Sequence, residues 1–207
     1  MKDEEFMREA LKEAAIARDN QDWAVGCVIT YNDEIVARGR NRVFSGKSRL
    51  LHAEIDAIQE LQKKHFIKDF DPAIEFTMYT TLEPCPMCFG ALLLTSIRTV
   101  ISGTNLDNSG ASASMEHLPG FFTQPRHKTT MTTGVLEAEC EAMWLSGEPA
   151  KRLIQRGAVE VRLSNGNRGK RTYTSPTRHP SDSKNETNSS RQENFAISLR
   201  SLFSSNK

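Results

Sequence analysis

His52-Ala53-Glu54, followed by Pro84-Cys85-Pro86-Met87-Cys88, is the pair of stretches that decides the fold and the chemistry of this chain. Together they supply one imidazole, two thiols and one carboxylate, with 32 residues between the histidine and the first cysteine. A catalytic zinc takes three protein ligands and keeps one position open for water. The pattern therefore predicts a catalytic Zn²⁺ site. Its predicted ligands are His52, Cys85 and Cys88.

Glu54 is the carboxylate of this set, and it lies two residues past the histidine. Zinc lowers the pKa of a bound water from about 15.7 towards 7, which provides a nucleophile at neutral pH. A hydrolysis at such a site also requires protons to move from the water to the leaving group. One carboxylate can carry them, so Glu54 is the predicted general acid/base.

The local patterns place both motifs at the starts of helices. Apolar residues at 51, 55, 58 and 61 have helical spacing, which puts His52 and Glu54 in a first turn. A second predicted helix, Cys85–Leu94, carries its two cysteines on one face. The strand-like stretch Phe76–Thr81 runs into it, so this ligand pair follows the carboxyl end of a strand, where open α/β sheets place their sites.

Other uses of a Cys-x-x-Cys pair are a redox dithiol and a closed structural zinc site. The redox interpretation leaves His52-Ala53-Glu54 unexplained, and a closed site needs a fourth ligand. The spare thiols are Cys27, in an apolar strand pattern, and Cys140, in a helix pattern. Both are predicted to pack in the core.

The order of predicted elements indicates an α/β fold. An initial hairpin followed by alternating helices and strands predicts three α/β/α layers around a five-stranded, mixed, mostly parallel sheet. The predicted strands are Trp23–Thr30, Glu34–Arg38, Phe76–Thr81, Ile97–Ser102 and Lys128–Thr133. Besides the two motif helices, the predicted helices are Glu4–Arg18, Gly134–Trp144 and Pro149–Arg156.

The stretch Thr81–Ala91, read with the histidine motif, resembles the cytidine-deaminase-like superfamily. It is most similar to the branch of bacterial tRNA adenosine deaminases, guanine deaminases and fungal cytosine deaminase, over roughly residues 4–146. The resemblance implies a cytidine-deaminase-like fold and a homodimer. It also implies that Asn41 hydrogen-bonds the substrate and that the backbone at Ala53 and Pro84 lines the base pocket. The alternative for Asn41 is a turn residue after a strand.

The expected reaction is hydrolytic deamination of a nucleobase or nucleoside with release of ammonia. Two stretches depart from the pattern of the tRNA-editing enzymes: Arg49-Leu50-Leu51 before the histidine, and Thr104–Asn108. These departures favour a small-molecule base or nucleoside, of guanine or cytosine type. The alternative is deamination of the wobble adenosine of tRNA to inosine. A non-catalytic subunit with this fold is a third possibility, which the presence of Glu54 disfavours.

The charge is unevenly distributed along the chain. Of a total of +1, residues 151–207 contribute twelve Lys/Arg and four Asp/Glu, a net +8. Residues 1–160 are predicted to form the deaminase domain, and residues 161–207 a basic, Ser/Asn-rich tail. Leu163–Gln192 has few apolar residues and is predicted to be disordered. We favour a solvated linker over contact of this tail with RNA phosphates.

The remaining expectations concern the cellular setting. No apolar run reaches the roughly 18 residues of a membrane span, so no membrane association is expected. Four cysteines, two of them assigned to metal, and the absence of a signal-like N-terminal stretch predict a reducing, cytoplasmic location.

Overall fold

The computed structural model describes residues 2–64, 74–106, 109–124, 127–157 and 171–174, and within them helices and strands alternate along the chain. The helices are α1 (Lys2–Asp19), α2 (Ala53–Lys64), α3 (Pro86–Leu93), α4 (Glu137–Ser146) and α5 (Glu148–Gln155). The strands are β1 (Gly26–Tyr31), β2 (Glu34–Arg40), β3 (Phe76–Leu82), β4 (Ile97–Thr104), β5 (Thr130–Thr133) and β6 (Arg171–Thr174). Two short 3₁₀ helices, Ser112–His117 and Gly120–Thr123, lie between β4 and β5. No helix in these ranges is both long and apolar enough to cross a membrane.

The strands form one sheet in the order β2-β1-β3-β4-β5-β6. The pairs β3–β4 and β4–β5 are parallel, whereas β1–β2, β1–β3 and β5–β6 are antiparallel. The prediction of a mixed sheet is confirmed. Two details of that prediction are corrected, because the described sheet has six strands rather than five and most of its pairings are antiparallel.

The sixth strand, β6, comes from the segment that the sequence assigned to the tail. Its four residues pair antiparallel with β5, with Arg171 opposite Thr133 and Thr174 opposite Thr130. This short piece therefore belongs to the sheet and is not disordered. The other residues of the predicted tail, 161–170 and 175–207, lie outside the described residues, so their disorder and the boundary at residue 160 stay predictions.

Side chains alternate between the two faces of the sheet, and each face carries its own helices. On one face, Val28, Tyr79 and Ile101 pack with residues of α1 and α4, including Met7 and Cys140. On the other face, strand residues pack with α2 and α3; these are Cys27, Ile29, Met78 and Val100. The three-layer α/β/α architecture is therefore confirmed. Cys27 and Cys140 are fully buried, as predicted.

Several helices begin later than the sequence pattern predicts. Gly134 and Leu136 have left-handed backbone, with φ of 106° and 51°, so α4 begins only at Glu137. At the two motifs, α2 begins at Ala53 and α3 at Pro86. His52 and Cys85 thus stand immediately before their helices rather than inside the first turn.

Candidate active site

The two motifs meet because the helices that follow them pack on the same face of the sheet. The path from β3 into α3 carries Cys85 at the N-cap and Cys88 in the first turn. His52 enters through the start of α2, which lies against β2. Gly39 of β2 permits this approach, since a Cβ there would lie 2.3 Å from the carbonyl oxygen of Ala53.

The three predicted ligands form a triangle with nearly equal sides. His52 Nδ1 lies 3.7 Å from Cys85 Sγ and 3.5 Å from Cys88 Sγ, and the two sulfurs are 3.7 Å apart. Tetrahedral zinc with bonds of about 2.3 Å to sulfur and 2.0–2.1 Å to nitrogen requires separations of roughly 3.8 Å and 3.6 Å. The donor set and its dimensions therefore fit Zn²⁺, with one coordination position left for a non-protein ligand.

The thiols of this cluster differ in acidity. Hydrogen bonding with Cys88, followed by His52, lowers the pKa of Cys85 to about 4 against the cost of burial. The pKa of Cys88 is raised by its hydrogen bond with Cys85 and by burial. The hydrogen bond with Cys85 also raises the pKa of His52. Because zinc binds thiolates and a neutral imidazole, its binding must displace the protons that these three groups hold.

Glu54 faces the triangle from the first turn of α2. Its side chain is 4% exposed, and burial is the main cause that raises the pKa of its carboxyl. Thr80 Oγ1 lies 3.3 Å from Oε1 and shares its proton between this oxygen and the carbonyl of Leu82, which is 3.0 Å away. Cys88 Sγ donates to Oε2 at 3.4 Å. A buried carboxyl with a raised pKa, held beside a metal site, suits proton transfer near neutral pH.

These groups open into a cavity of about 210 Å³. Its polar wall includes His52, Glu54 and Cys85, and its apolar wall includes Trp23 and Trp144. The two indole rings stack with centroids 5.9 Å apart. The cavity is thus a pocket with chemical groups on one side and flat aromatic rings on another, an arrangement that suits a heterocyclic base.

Comparison with known proteins agrees with this geometry. Residues 1–104 match the family described as the cytidine and deoxycytidylate deaminase zinc-binding region. The chain belongs to this deaminase family. The resemblance to the cytidine-deaminase-like superfamily is therefore confirmed, and so is zinc as the cofactor of this deaminase, with His52, Cys85 and Cys88 as the described group able to hold it.

Three relatives illustrate the range of the family. The tRNA-specific adenosine deaminase of Bacillus subtilis (strain 168) is 36% identical over 143 residues, which cover 68% of this chain and 85% of that protein. A structure from a study of A-to-I editing by tRNA:A34 deaminases at the wobble position of transfer RNA is 28% identical with a TM-score of 0.56, covering 67% of this chain and 98% of its own. A protein solved in complex with 2,6-diaminopurine is 25% identical with a TM-score of 0.57, covering 69% of this chain and 79% of its own.

The three residues assigned to substrate binding lie around the deaminase pocket. Asn41 is 4% exposed and lines the cavity, while its Oδ1 accepts a hydrogen bond from the amide of Val43 at 3.1 Å. Ala53 and Pro84 are buried, and the cavity wall includes the residues on either side of each. Their contacts with a substrate stay predictions.

The sequence did not indicate several residues in and around this site. Thr80, which donates to Glu54, is fully buried on β3, two residues before the strand ends. The aromatic wall joins Trp23, ahead of β1, to Trp144 in α4. These residues lie outside the metal motifs and meet only through the tertiary fold.

Proposed function

We propose that this deaminase acts on adenosine at the wobble position of tRNA and converts it to inosine with release of ammonia. One observation supports hydrolytic deamination: the His52–Cys85–Cys88 triangle and the Glu54 carboxyl lie at the same base-sized cavity. The match to the tRNA-specific adenosine deaminase of Bacillus subtilis, which covers 85% of that protein, supports tRNA as the substrate. The sequence-based preference for guanine or cytosine type substrates is less well supported than the tRNA alternative.

Glu54 would carry the protons of the reaction. Zinc, when bound by the triangle, supplies an activated water at neutral pH. The Glu54 carboxylate accepts a proton from the attacking water and delivers it to the ring nitrogen next to the amine-bearing carbon. A second proton passes by the same carboxyl to the amine, which leaves as ammonia while a carbonyl forms. Thr80 Oγ1, 3.3 Å from Oε1, helps to orient this carboxyl.

The pocket would take a single base turned out of its strand. Its volume of about 210 Å³ is below the roughly 300–1,000 Å³ of pockets that enclose drug-sized ligands. An enzyme acting on a base must receive it unstacked, and aromatic walls such as Trp23 and Trp144 replace part of the lost stacking. In this proposal the side-chain amide of Asn41, which lines the cavity, donates to the base.

A second cavity favours a polynucleotide as the substrate over a free base. It has a volume of about 520 Å³ and shares Trp23 and Leu153 with the first cavity. Its lining includes Arg152 and Arg156, both exposed on or just after α5, and Phe44, which is 54% exposed. Cations can neutralise phosphates, and an exposed aromatic ring can stack a neighbouring base. A free base would use neither feature.

Deamination of a free purine is the second candidate. The observation in its favour is the 2,6-diaminopurine bound to a structural relative that is 25% identical. A homodimer and a cytoplasmic location remain predictions under either function.

A substrate panel separates the candidates. Ammonia release would be measured with an anticodon stem-loop RNA bearing wobble adenosine, and with guanine, cytosine, adenosine and cytidine. The proposal expects turnover on the RNA alone, weakened by added salt and by Arg152→Ala and Arg156→Ala together. Lys151→Ala is the matched control, because it removes an exposed cation of the same helix that is paired with Glu148 and lies outside the cavity lining. Turnover confined to a free base would refute the tRNA proposal.

A further inference from the structure

Glu83 is a buried carboxylate in the pocket wall that the proposed reaction does not use. It follows β3 directly, lies two residues before Cys85 and is 3% exposed. Both of its oxygens are engaged, since Oε1 accepts from the amide of Ser112 at 3.0 Å and Oε2 accepts from Thr133 Oγ1 at 3.0 Å. Thr133 is itself held by Ser102, whose hydroxyl donates to it at 2.8 Å.

These contacts fasten the segment Ser109–Ser112 to the turn that carries Cys85. The amide of Ala111 donates to the carbonyl of Pro84 at 2.9 Å, next to the bond from Ser112 to Glu83. Gly110 packs directly on the same carboxylate, and a Cβ at this position would lie 2.2 Å from Oε1. The segment can approach this closely only because residue 110 has no side chain. Ser109, at its start, lines the cavity together with Glu54.

Glu83 and Glu54 both line the pocket, but they contact different groups. The Glu54 oxygens contact Thr80 and the thiol of Cys88, beside the metal ligands. The Glu83 oxygens accept from the backbone amide of Ser112 and the hydroxyl of Thr133 instead. A hydrogen bond to a charged acceptor is stronger than a neutral one, so this carboxylate is suited to fixing a loop.

We propose that Glu83 is a positioning residue that holds the Ser109–Ser112 segment as a wall of the base pocket and so determines how tightly the substrate fits. The assignment rests on the proposed function for its substrate. Loss of the carboxylate releases Ser112 and Thr133 together, and the wall at Ser109 moves with the segment. Substrate affinity then falls while proton transfer by Glu54 continues.

The test compares four variants of the full chain: Glu83→Ala, Glu83→Gln, Gly110→Ala and the double change Glu83→Ala/Gly110→Ala. With the stem-loop RNA, Glu83→Ala should raise KM about tenfold, equivalent to about 1.4 kcal/mol, and leave the shape of the kcat–pH profile unchanged. Glu83→Gln still offers an oxygen to the Ser112 amide and should recover part of the loss. Gly110→Ala should raise KM through its clash with the carboxylate, and less so once that carboxylate is absent, so the two changes should not be additive. Gly120→Ala is the control, because a Cβ there meets nothing within 4 Å.

Hydrogen exchange supplies a readout that needs no substrate. The amides of Ala111 and Ser112 should exchange faster in Glu83→Ala and Gly110→Ala than in the wild type. Their exchange rates should be unchanged in Gly120→Ala. Wild-type protein inactive on RNA would refute the proposed function, while the exchange data would still decide on Glu83. Unaltered exchange and unaltered KM in both variants would overturn the positioning role. So would a Glu83→Gln variant that loses kcat and shifts the pH profile, since that would make Glu83 a proton carrier. Should Glu83→Ala not fold, Glu83→Gln and Gly110→Ala decide the question.

Discussion

Replacing Glu54 by glutamine tests proton transfer at the site separately from folding and zinc binding. Glutamine has the same size as glutamate, and its oxygen can still accept the hydrogen bond that Thr80 donates at 3.3 Å. What it cannot do is accept a proton from water and pass it on. General acid/base catalysis contributes about 10²–10⁴-fold, so kcat should fall by that factor. The barrier rises correspondingly by about 2.7–5.5 kcal/mol.

The assay pairs single-turnover inosine formation with zinc content and thermal unfolding of the same preparation. Glu141→Gln is the matched control, because Glu141 is also buried, at 6% exposure, and accepts from the hydroxyl of Thr104 at 3.4 Å. Glu141 lies outside the cavity lining, so its variant should keep wild-type turnover. A zinc-loaded Glu54→Gln variant with turnover within about tenfold of wild type would refute the assignment, since that loss is below the range for a general acid/base.

Three further predictions concern the metal, the alkaline range and the packing of α2. Cys85→Ala together with Cys88→Ala should abolish tight zinc binding, measured by metal analysis after dialysis, because two of three ligands are lost. Burial, and then the charge of Asp3, raises the pKa of Tyr79 above its usual value near 10, so absorbance titration should show a late-ionising component that Tyr79→Phe removes. Because the native pKa is raised, its stabilisation is present below about pH 10 and is lost as the pH rises through the native value, so Tyr79→Phe should flatten that decline. Gly39→Ala should destabilise the protein by about 1–3 kcal/mol in urea unfolding, because its Cβ meets the backbone of α2 at 2.3 Å.

Each of these predictions has its own control. Cys140→Ala removes a buried thiol far along the chain from the motifs and should leave one zinc per chain; loss of zinc there would contradict the ligand assignment. Tyr31→Phe should leave the late-ionising fraction in place. Gly120→Ala should leave stability nearly unchanged, and an equal loss in both glycine variants would show that the close approach at Gly39 is not the cause.

The metal cluster was predictable because its determinants are local. His52, Cys85 and Cys88 belong to two short motifs whose residue types and order are sufficient to indicate zinc, and the structure brings their ligand atoms within 4.8 Å of one another. The helices that follow them are visible in the apolar periodicity. The bounds of these helices differ by a few residues; Cys85, for example, is the N-cap of α3 rather than a helical residue.

The rest depends on contacts between distant parts of the chain. β6 is four residues long and lies in a polar segment, so only its pairing with β5 makes it a strand. The antiparallel orientation of β1 against β3 likewise depends on tertiary contacts, and it makes most pairings of the sheet antiparallel. Glu83 lies in the motif stretch, but the sequence does not indicate its contacts, because its partners Ser112 and Thr133 are 29 and 50 residues away.

The reaction proposed for this pocket is deamination of the wobble adenosine of tRNA. It is tested most directly by incubating the zinc-loaded protein with a tRNA transcript bearing adenosine at that position and mapping inosine by sequencing. Inosine should form at the wobble position only, and Glu54→Gln should form none. Absence of inosine from the zinc-loaded wild-type protein, together with ammonia release from a free base, would contradict it.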